Sequence, residues 1–118
     1  MSIPTGSGTE VLKVAHTRGV SNSATLIMPA GTANHIYTIL SIVIVEDAGN
    51  AEAIYLNIRP SGSSGNQTRL LRGLTLGASE TFIWNDTFVM SGTDELMLES
   101  GSAADLDATV SYIDTDWS

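Results

Sequence analysis

Hydrophobic and polar residues alternate in short runs along most of this chain, which is the pattern of half-buried β-strands. Glycine, proline, serine, asparagine and aspartate recur between the runs and mark turns. No segment keeps a helical period long enough for an α-helix. About nine strands follow from this pattern: 9–17, 23–28, 35–45, 51–59, 68–76, 79–84, 87–90, 95–99 and 106–114.

Short strands separated by regular turn signals predict an all-β fold. We expect a single antiparallel β-sandwich of about eight or nine strands, Ig-like or jelly-roll. The 118 residues suit one domain. We assign residues 9–118 to the sandwich. Residues 1–8, which are mostly glycine, serine and threonine, are predicted to form a flexible N-terminal arm.

The run from His35 to Val45 is the most hydrophobic segment, and both faces of the predicted strand are apolar. One face can meet the core, but the other needs a loop, the N-terminal arm or another subunit to cover it. The next segment, 51–59, alternates cleanly, and the short loop before it predicts a hairpin between the two strands. By strict alternation, Ile36, Leu40, Ile42 and Ile44 share one face, and Tyr37, Ile39, Val43 and Val45 share the other.

Charge and composition exclude several classes of partner. A net charge of -8 argues against duplex DNA and anionic membranes, so we expect neither nucleic acid nor membrane as a partner. The start of the chain lacks the basic and apolar regions of a signal peptide, which predicts synthesis in a cytoplasm. All five lysines and arginines precede residue 73, whereas nine of the thirteen acids follow it. This asymmetry is compatible with a solvated acidic surface or with an acidic end that faces a basic partner.

Candidate chemistry is sparse. There is no cysteine, and no nucleotide-binding, nucleophile-elbow or zinc-protease motif. His16 and His35 fall at strand edges, where structural roles are usual. Calcium is the metal weighed, because Asp105 and Asp107 flank Leu106 and Asp94-Glu95 follows a glycine turn, but the dense pattern of a calcium loop is absent. Asp94 and Asp105 are more simply turn residues. We therefore predict a protein that is not an enzyme and has no cofactor and no metal.

The aromatic residues leave two questions open. Phe82 and Trp84 share one strand face and are expected in the core, although Trp84 or Tyr55 would also suit a sugar-binding platform. Trp117, close to the end of the sequence, can pack within its own chain or on a neighbour. The residues proposed for a partner interface are Ile3, Pro4, Tyr37, Ile39, Val43 and Trp117.

The central strand reads YTILSIVI at 37–44, and a later stretch reads LTLGASETFIW at 74–84. In these segments, and in the layout from residue 36 onward, the chain resembles small virion proteins of tailed bacteriophages. Looser likenesses are FVMSGTDEL at 88–96 and the closing ATVSYI at 108–113. The resemblance covers about two thirds of the chain and concerns strand order and composition more than a sharp motif.

This resemblance implies a non-catalytic component of a virion. The first expectation is a capsid decoration (cement) protein that stabilises the head by binding major capsid subunits. Such a protein would act as a homotrimer or another homo-oligomer. The alternative is a tail, neck or fibre component with a similar sandwich, which could bind a host glycan.

Overall fold

Nine β-strands and two short 3-10 turns make up the regular structure that the computed structural model shows for the described residues, 9–62 and 64–117. The predicted arm, with Ile3 and Pro4, lies outside these ranges. The described residues contain no α-helix, and the all-β prediction is confirmed. The strands are β1 (Thr9–Val20), β2 (Thr25–Leu26), β3 (His35–Glu46), β4 (Glu52–Arg59), β5 (Thr68–Leu76), β6 (Thr81–Trp84), β7 (Phe88–Ser91), β8 (Glu95–Ser100) and β9 (Leu106–Asp116). The 3-10 turns are Pro60–Gly62 and Ser64–Asn66.

The strands form two antiparallel sheets that enclose the core. A five-stranded sheet has the order β1-β9-β3-β6, with β7 also pairing with β3, and a four-stranded sheet has the order β2-β8-β4-β5. If β6 and β7 are counted as one interrupted strand, two sheets of four strands interleave along the chain in the order of a jelly roll. Of the two topologies expected from the sequence, the structure therefore has the jelly roll.

The core lies between the sheets and is built from the inward side chains of both. β3, β9, β4 and β8 are central strands, and their inward residues alternate with outward ones at a period of two. Burying each large aliphatic side chain contributes about 1.5–3 kcal/mol before the entropy cost of ordering it. The aliphatic residues with no exposed surface are Ile39, Ile42, Ile44, Ile54, Leu56, Leu96, Leu98, Leu106 and Val110.

A β-bulge in β3 corrects the predicted faces of the central strand. The pairing of β3 with β9 shifts between Ile39 and Ser41, so Leu40 is the extra residue and the alternation reverses there. Tyr37 and Ile39 therefore face inward together with Ile42, instead of lying opposite it as strict alternation predicted. The second face of the strand lies on the outside of the sheet.

The predicted hairpin of the central strand with the next one is wrong. β3 pairs with β9, β6 and β7, whereas β4 pairs with β5 and β8, so the loop between β3 and β4 crosses from one sheet to the other. The Glu46 carboxylate fixes this crossing by accepting hydrogen bonds from the amides of Ala48 at 2.8 Å and Gly49 at 2.9 Å. Local sequence could not reveal the partner strand, because β9 lies about sixty residues further along the chain.

Candidate interaction surface

The outward face of the five-stranded sheet is apolar in its middle and charged at its ends. Across the sheet, Leu12 pairs with Ile113, which pairs with Thr38, which in turn pairs with Val89. Two rows further along, His16, Thr109, Val43 and Ile83 are aligned in the same way. Carboxylates lie only in the outermost rows, at Glu10 and Asp107. We call the outer apolar face the set Leu12, Val14, Val43, Ile83, Val89 and Ile113.

Four large hydrophobic side chains of the outer apolar face are open to solvent. The exposed fractions are 71% for Leu12, 53% for Val14, 57% for Ile83 and 58% for Val89. Only two further large hydrophobic residues of the described chain, Val11 and Leu26, are exposed. Single exposed hydrophobic residues are ordinary, but four on one sheet face, two on the edge strand β1 and two on β6 and β7 at the opposite edge, mark a candidate docking surface.

The bulge at Leu40 makes the surface of this face uneven. A shallow groove of about 590 Å³, where β1, β9 and β3 run side by side, is lined by Leu12, Lys13, Val14, Leu40, Ser41 and Ser111. A mostly apolar groove with one lysine in its lining suits a hydrophobic side chain of a neighbouring protein better than it suits a substrate. The groove and the outer apolar face therefore act as one surface.

The structure separates the residues that were predicted for an interface. Val43 lies on the outer apolar face, between Thr109 and Ile83. Tyr37 and Ile39 do not, because the bulge at Leu40 puts them in the core, where they are 2% and 0% exposed. Their assignment to an interface is corrected accordingly.

Trp117 packs within its own chain, one of the two arrangements that the sequence left open. Its amide donates a hydrogen bond to the carbonyl of Asn34 at 3.0 Å, and the side chain is half-buried. It lines a cleft of about 520 Å³ together with Asn34, Pro60 and Asp94. Its indole N–H is buried and has no hydrogen-bond partner among the described residues.

The sequence carries a pattern from which the exposed hydrophobic residues could have been predicted. Leu12 and Val14 alternate with Val11, Lys13 and Ala15, so β1 is apolar on both sides, like the central strand. Ile83 likewise lies opposite Phe82 and Trp84, which are predicted to be core residues and do pack against the core. A search for strands with two apolar faces would have found these positions as well.

An ion-pair cluster around the buried Asp114 joins the two long strands β1 and β9 to β3. The Asp114 carboxylate accepts from the Lys13 ammonium at 2.8 Å and contacts the Nδ1 atom of His35 at 2.6 Å. Burial raises the pKa of Asp114, but the hydrogen bonds and charges of Lys13 and His35 outweigh burial and keep that pKa below its ordinary value. The Nε2 atom of His35 also lies 3.7 Å from the Asp116 carboxylate. Both ring nitrogens therefore contact carboxylates of β9, which is a structural role.

Glu46 is the second carboxylate with a lowered pKa. Its side chain is 1% exposed and accepts a hydrogen bond from the Ser79 amide at 2.7 Å. That bond lowers the pKa of Glu46 most; burial opposes it, and the amides of Ala48 and Gly49 add to the lowering. The carboxylate thereby joins the loop after β3 to the turn before β6.

Acid is expected to destabilise the fold through these carboxylates, and Asp114→Asn should weaken that effect. A carboxylate whose pKa is lowered by folding stabilises fully above its unfolded pKa of about 4 and loses this contribution as pH falls through its folded pKa. At neutral pH we expect Asp114→Asn to cost about 2 kcal/mol, because Lys13 and His35 lose their charged partner. Urea unfolding from about pH 7 to about pH 3 measures both effects. The exposed Asp86→Asn is the control, and equal curves for the two variants would contradict the assignment.

An acidic group lies at one end of the five-stranded sheet. Asp47, Asp105 and Asp107 have carboxylate oxygens within 4.8 Å of one another. Asp94 belongs to a different place, where its carboxylate accepts from the amides of Ser61 and Ser91 at 2.9 and 3.1 Å. Calcium takes six to eight oxygen ligands, which three carboxylates do not supply by themselves.

The possible sugar platforms are engaged in intrachain contacts. Trp84 faces inward opposite Ile42, is half-buried and donates its indole N–H to the carbonyl of Asp86 at 2.8 Å. The Tyr55 ring lies under the guanidinium of Arg69, 5.6 Å from its centre.

In the described ranges, no helix has the length and apolarity needed to cross a bilayer.

Known proteins similar to this chain are found among solved structures. No protein-family model matches the chain, and no curated protein matches it significantly. A solved structure of Bacillus endospore appendages, described as a novel family of disulfide-linked pili, has a TM-score of 0.61 and 16% identity. That match covers 100% of this chain and 97% of the pilus chain.

Two structures of infectious bursal disease virus also align with the chain. One is a T13 viral particle, with a TM-score of 0.49, 6% identity and coverage of 92% of this chain and 35% of that chain. The other is the Gx strain, with a TM-score of 0.49, 14% identity and coverage of 98% and 32%. Of these three structures, the pilus chain has the TM-score that establishes a shared fold.

Proposed function

We propose that this protein is a non-catalytic structural subunit that self-associates through the outer apolar face. The observation that carries the proposal is the set of exposed hydrophobic side chains on the edge strands β1, β6 and β7, with Val43 and Ile113 between them in rows that hold no carboxylate. An interface core of this kind is depleted in charge and is ringed by polar residues. Glu10 and Asp107 lie at the two ends of the face, whereas the uncharged Ser111 and Thr109 lie between its hydrophobic residues.

The size of the face suits one side of a protein–protein contact. Four columns of strands about 4.8 Å apart and three rows about 7 Å apart cover roughly 400 Å² of sheet. A standard interface buries about 800 Å² on each partner, so the apolar middle would form about half of one. The polar rows at both ends would form the rim.

The more specific form of this proposal is a capsid decoration protein that binds major capsid subunits of a virus. The resemblance of 37–44 and 74–84 to virion proteins of tailed bacteriophages supports it, as does the small acidic sandwich. In this form the outer apolar face would contact either the capsid or another copy in a homotrimer. The protein would be located in the virion.

A second candidate is a subunit of a surface filament. The fold of the chain matches a subunit of a spore pilus over nearly the whole length of both chains. The present sequence contains no cysteine, so the disulfide linkage described for those pili is not open to these residues. A filament of this chain would depend on non-covalent contacts such as the outer apolar face.

Sedimentation velocity over a range of protein concentrations, followed by electron microscopy, tests the proposal and separates its two forms. A decoration protein gives a discrete oligomer, or a monomer that joins capsids in many copies. A filament subunit gives a broad distribution of large species and visible fibres. A protein that stays monomeric at all concentrations and joins no capsid would overturn the proposal.

A further inference from the structure

β1 lies at a free edge of the five-stranded sheet. In the described chain it pairs with β9 alone, so one row of its backbone N–H and C=O groups points away from the other strands. Hydrophobic side chains on both of its faces are open as well, since Val11, Leu12 and Val14 are all exposed. A long edge strand with these properties is a template for pairing with another strand.

The other edge strands of the two sheets carry protections that β1 lacks. β2 has only two residues, and β6 and β7 have four each. β5 is longer, but it has the exposed arginines Arg69 and Arg72, and its pairing with β4 shifts register twice. Short length, charge and irregular pairing are common ways in which proteins keep an edge from pairing. Among the strands that the structure describes, β1 is therefore the edge best suited to pairing.

The charges and the irregularity of β1 leave its middle free. Its pairing with β9 shifts register only after Thr17, and Glu10 and Arg18 lie towards its two ends. Between these ends Lys13 is the only charged residue, and its ammonium bonds the Asp114 carboxylate at 2.8 Å. Because Asp114 is on β9, this ion pair draws the lysine back over its own sheet and away from the free edge. The segment 11–17 can therefore accept another strand.

We propose that β1 pairs antiparallel with β1 of a second copy and thereby joins two five-stranded sheets into one continuous sheet. This inference rests on the proposed self-association and deepens it by naming the contact. The partner strand must itself be long and free along one edge, and of the described strands β1 best meets that requirement. A pairing of β1 with its own copy is related by a two-fold axis, so it is isologous and closes at a dimer.

Symmetry and charge together select a register for this pairing. Directly opposite residues of an antiparallel pair lie on the same face, so under a two-fold axis one residue of β1 lies opposite its own copy. If that residue were Lys13, two like charges would meet, which is unfavourable. If it were Leu12, Glu10 would lie opposite the apolar Val14. The register with Val14 opposite Val14 avoids both conflicts.

The Val14 register also gives the charged ends of β1 a partner. Leu12 then lies opposite His16 of the second copy, and Glu10 lies opposite Arg18. Within the described ranges Arg18 forms no ion pair, and its guanidinium has five donors. The pocket that Arg18 shares with aspartates is on the β9 side of β1, whereas the second copy approaches from the other side. The carboxylates of that pocket are Asp47, Asp105 and Asp107.

Edge pairing would also double the outer apolar face. Leu12 and Val14 of the two copies would lie side by side at the join, at the centre of one surface of roughly 800 Å². A standard interface buries about this area on each partner, whereas the face of a single chain supplies about half of it. The dimer would therefore present a surface large enough to bind a capsid or a further dimer.

Cross-linking of single cysteines tests the pairing and its register, since the chain has no cysteine of its own. In the proposed register Val14→Cys lies opposite its own copy, within the distance that a disulfide spans. Leu12→Cys is displaced from its copy by four residues, or about 14 Å, and Val89→Cys lies at the other edge of the sheet. Under mild oxidation we expect Val14→Cys to form covalent dimers at least about tenfold faster than either control. Non-reducing gel electrophoresis measures the dimer, and circular dichroism verifies that each variant is folded.

Amide hydrogen exchange of the wild-type protein separates strand pairing from packing of sheet faces. Pairing at the edge gives new hydrogen bonds to every second amide of 11–17, because successive amides point to opposite sides of a strand. We expect exchange at these alternate amides to slow by about tenfold or more on association. Contact through side chains alone would form no backbone hydrogen bonds there. Exchange followed by NMR at concentrations below and above assembly gives this readout.

Two results would overturn the inference while the proposed function stands. One is a protein that self-associates although Val14→Cys cross-links no faster than the controls and exchange in 11–17 is unchanged. The other is protection of the alternate amides already in the monomer, because another part of the same chain, residues 1–8 included, would then occupy the edge. A protein that stays monomeric at every concentration would contradict the pairing and the proposed function together.

Discussion

Gly92→Ala is expected to destabilise the fold by about 3 kcal/mol or more, enough to unfold much of a marginal domain. A Cβ atom at this buried position would run into the carbonyl oxygen of Thr32 and would lie 2.9 Å from the Cβ of His35. The backbone cannot easily move away, because the Gly92 amide donates to the His35 carbonyl at 2.8 Å and its own carbonyl accepts from Thr32 at 3.0 Å. Urea unfolding followed by circular dichroism measures the loss.

Gly77→Ala provides the matched control. A Cβ atom there would meet only the end of the Glu80 side chain, which is exposed and can rotate away. We expect a change of less than about 1 kcal/mol, because moving a flexible side chain costs little. Similar losses for the two variants would contradict the packing described around Gly92.

Leu12→Glu combined with Ile83→Glu is expected to raise the dissociation constant of self-association about a hundredfold or more. The two positions lie near opposite edges of the outer apolar face. In the assembled protein, each substitution would bury a carboxylate that has no partner across the contact. Both side chains are mostly exposed in the single chain, so the melting temperature should change little. Sedimentation velocity and thermal unfolding give the two readouts.

The corresponding control adds the same two charges elsewhere. Asn66→Glu with Ala78→Glu places them at exposed positions outside the five-stranded sheet. This variant should associate like wild type. Equal weakening in the two variants would mean that net charge, not the outer apolar face, governs association.

The strands could be predicted from the sequence because period-two alternation and turn residues are local signals. β5 begins and ends where expected, and β4 keeps Ile54 and Leu56 inward as its pattern indicates. β2 is shorter than expected, since only Thr25 and Leu26 pair with β8. β1 extends three residues beyond its predicted end at Thr17, to Val20.

The errors lie where local sequence carries no information. In β3 hydrophobic residues occupy both faces, so alternation cannot fix the phase, and the bulge at Leu40 reverses it. The partner of β3 could not be read either, because the jelly roll joins distant segments and sends β4 to the other sheet.

The candidate surface was only partly accessible from sequence for the same reason. That one side of the central strand needs a cover beyond the core followed from its composition, and Val43 was placed correctly on the outside. The remaining positions depend on register: Leu12 and Val89 reach the same row only through the pairing of β1 with β9 and of β7 with β3.

The role of the outer apolar face is tested most directly by chemical labelling of single cysteines, since the chain has none of its own. Leu12→Cys and Val89→Cys would be placed on the outer apolar face, and Ala78→Cys on an exposed turn away from it. Maleimide labelling rates would be compared below and above the concentration at which the protein assembles. We predict that assembly slows labelling at Leu12→Cys and Val89→Cys but not at Ala78→Cys. Unchanged labelling of both face positions in the assembled protein would show that this sheet face stays open to water and that the contact lies elsewhere.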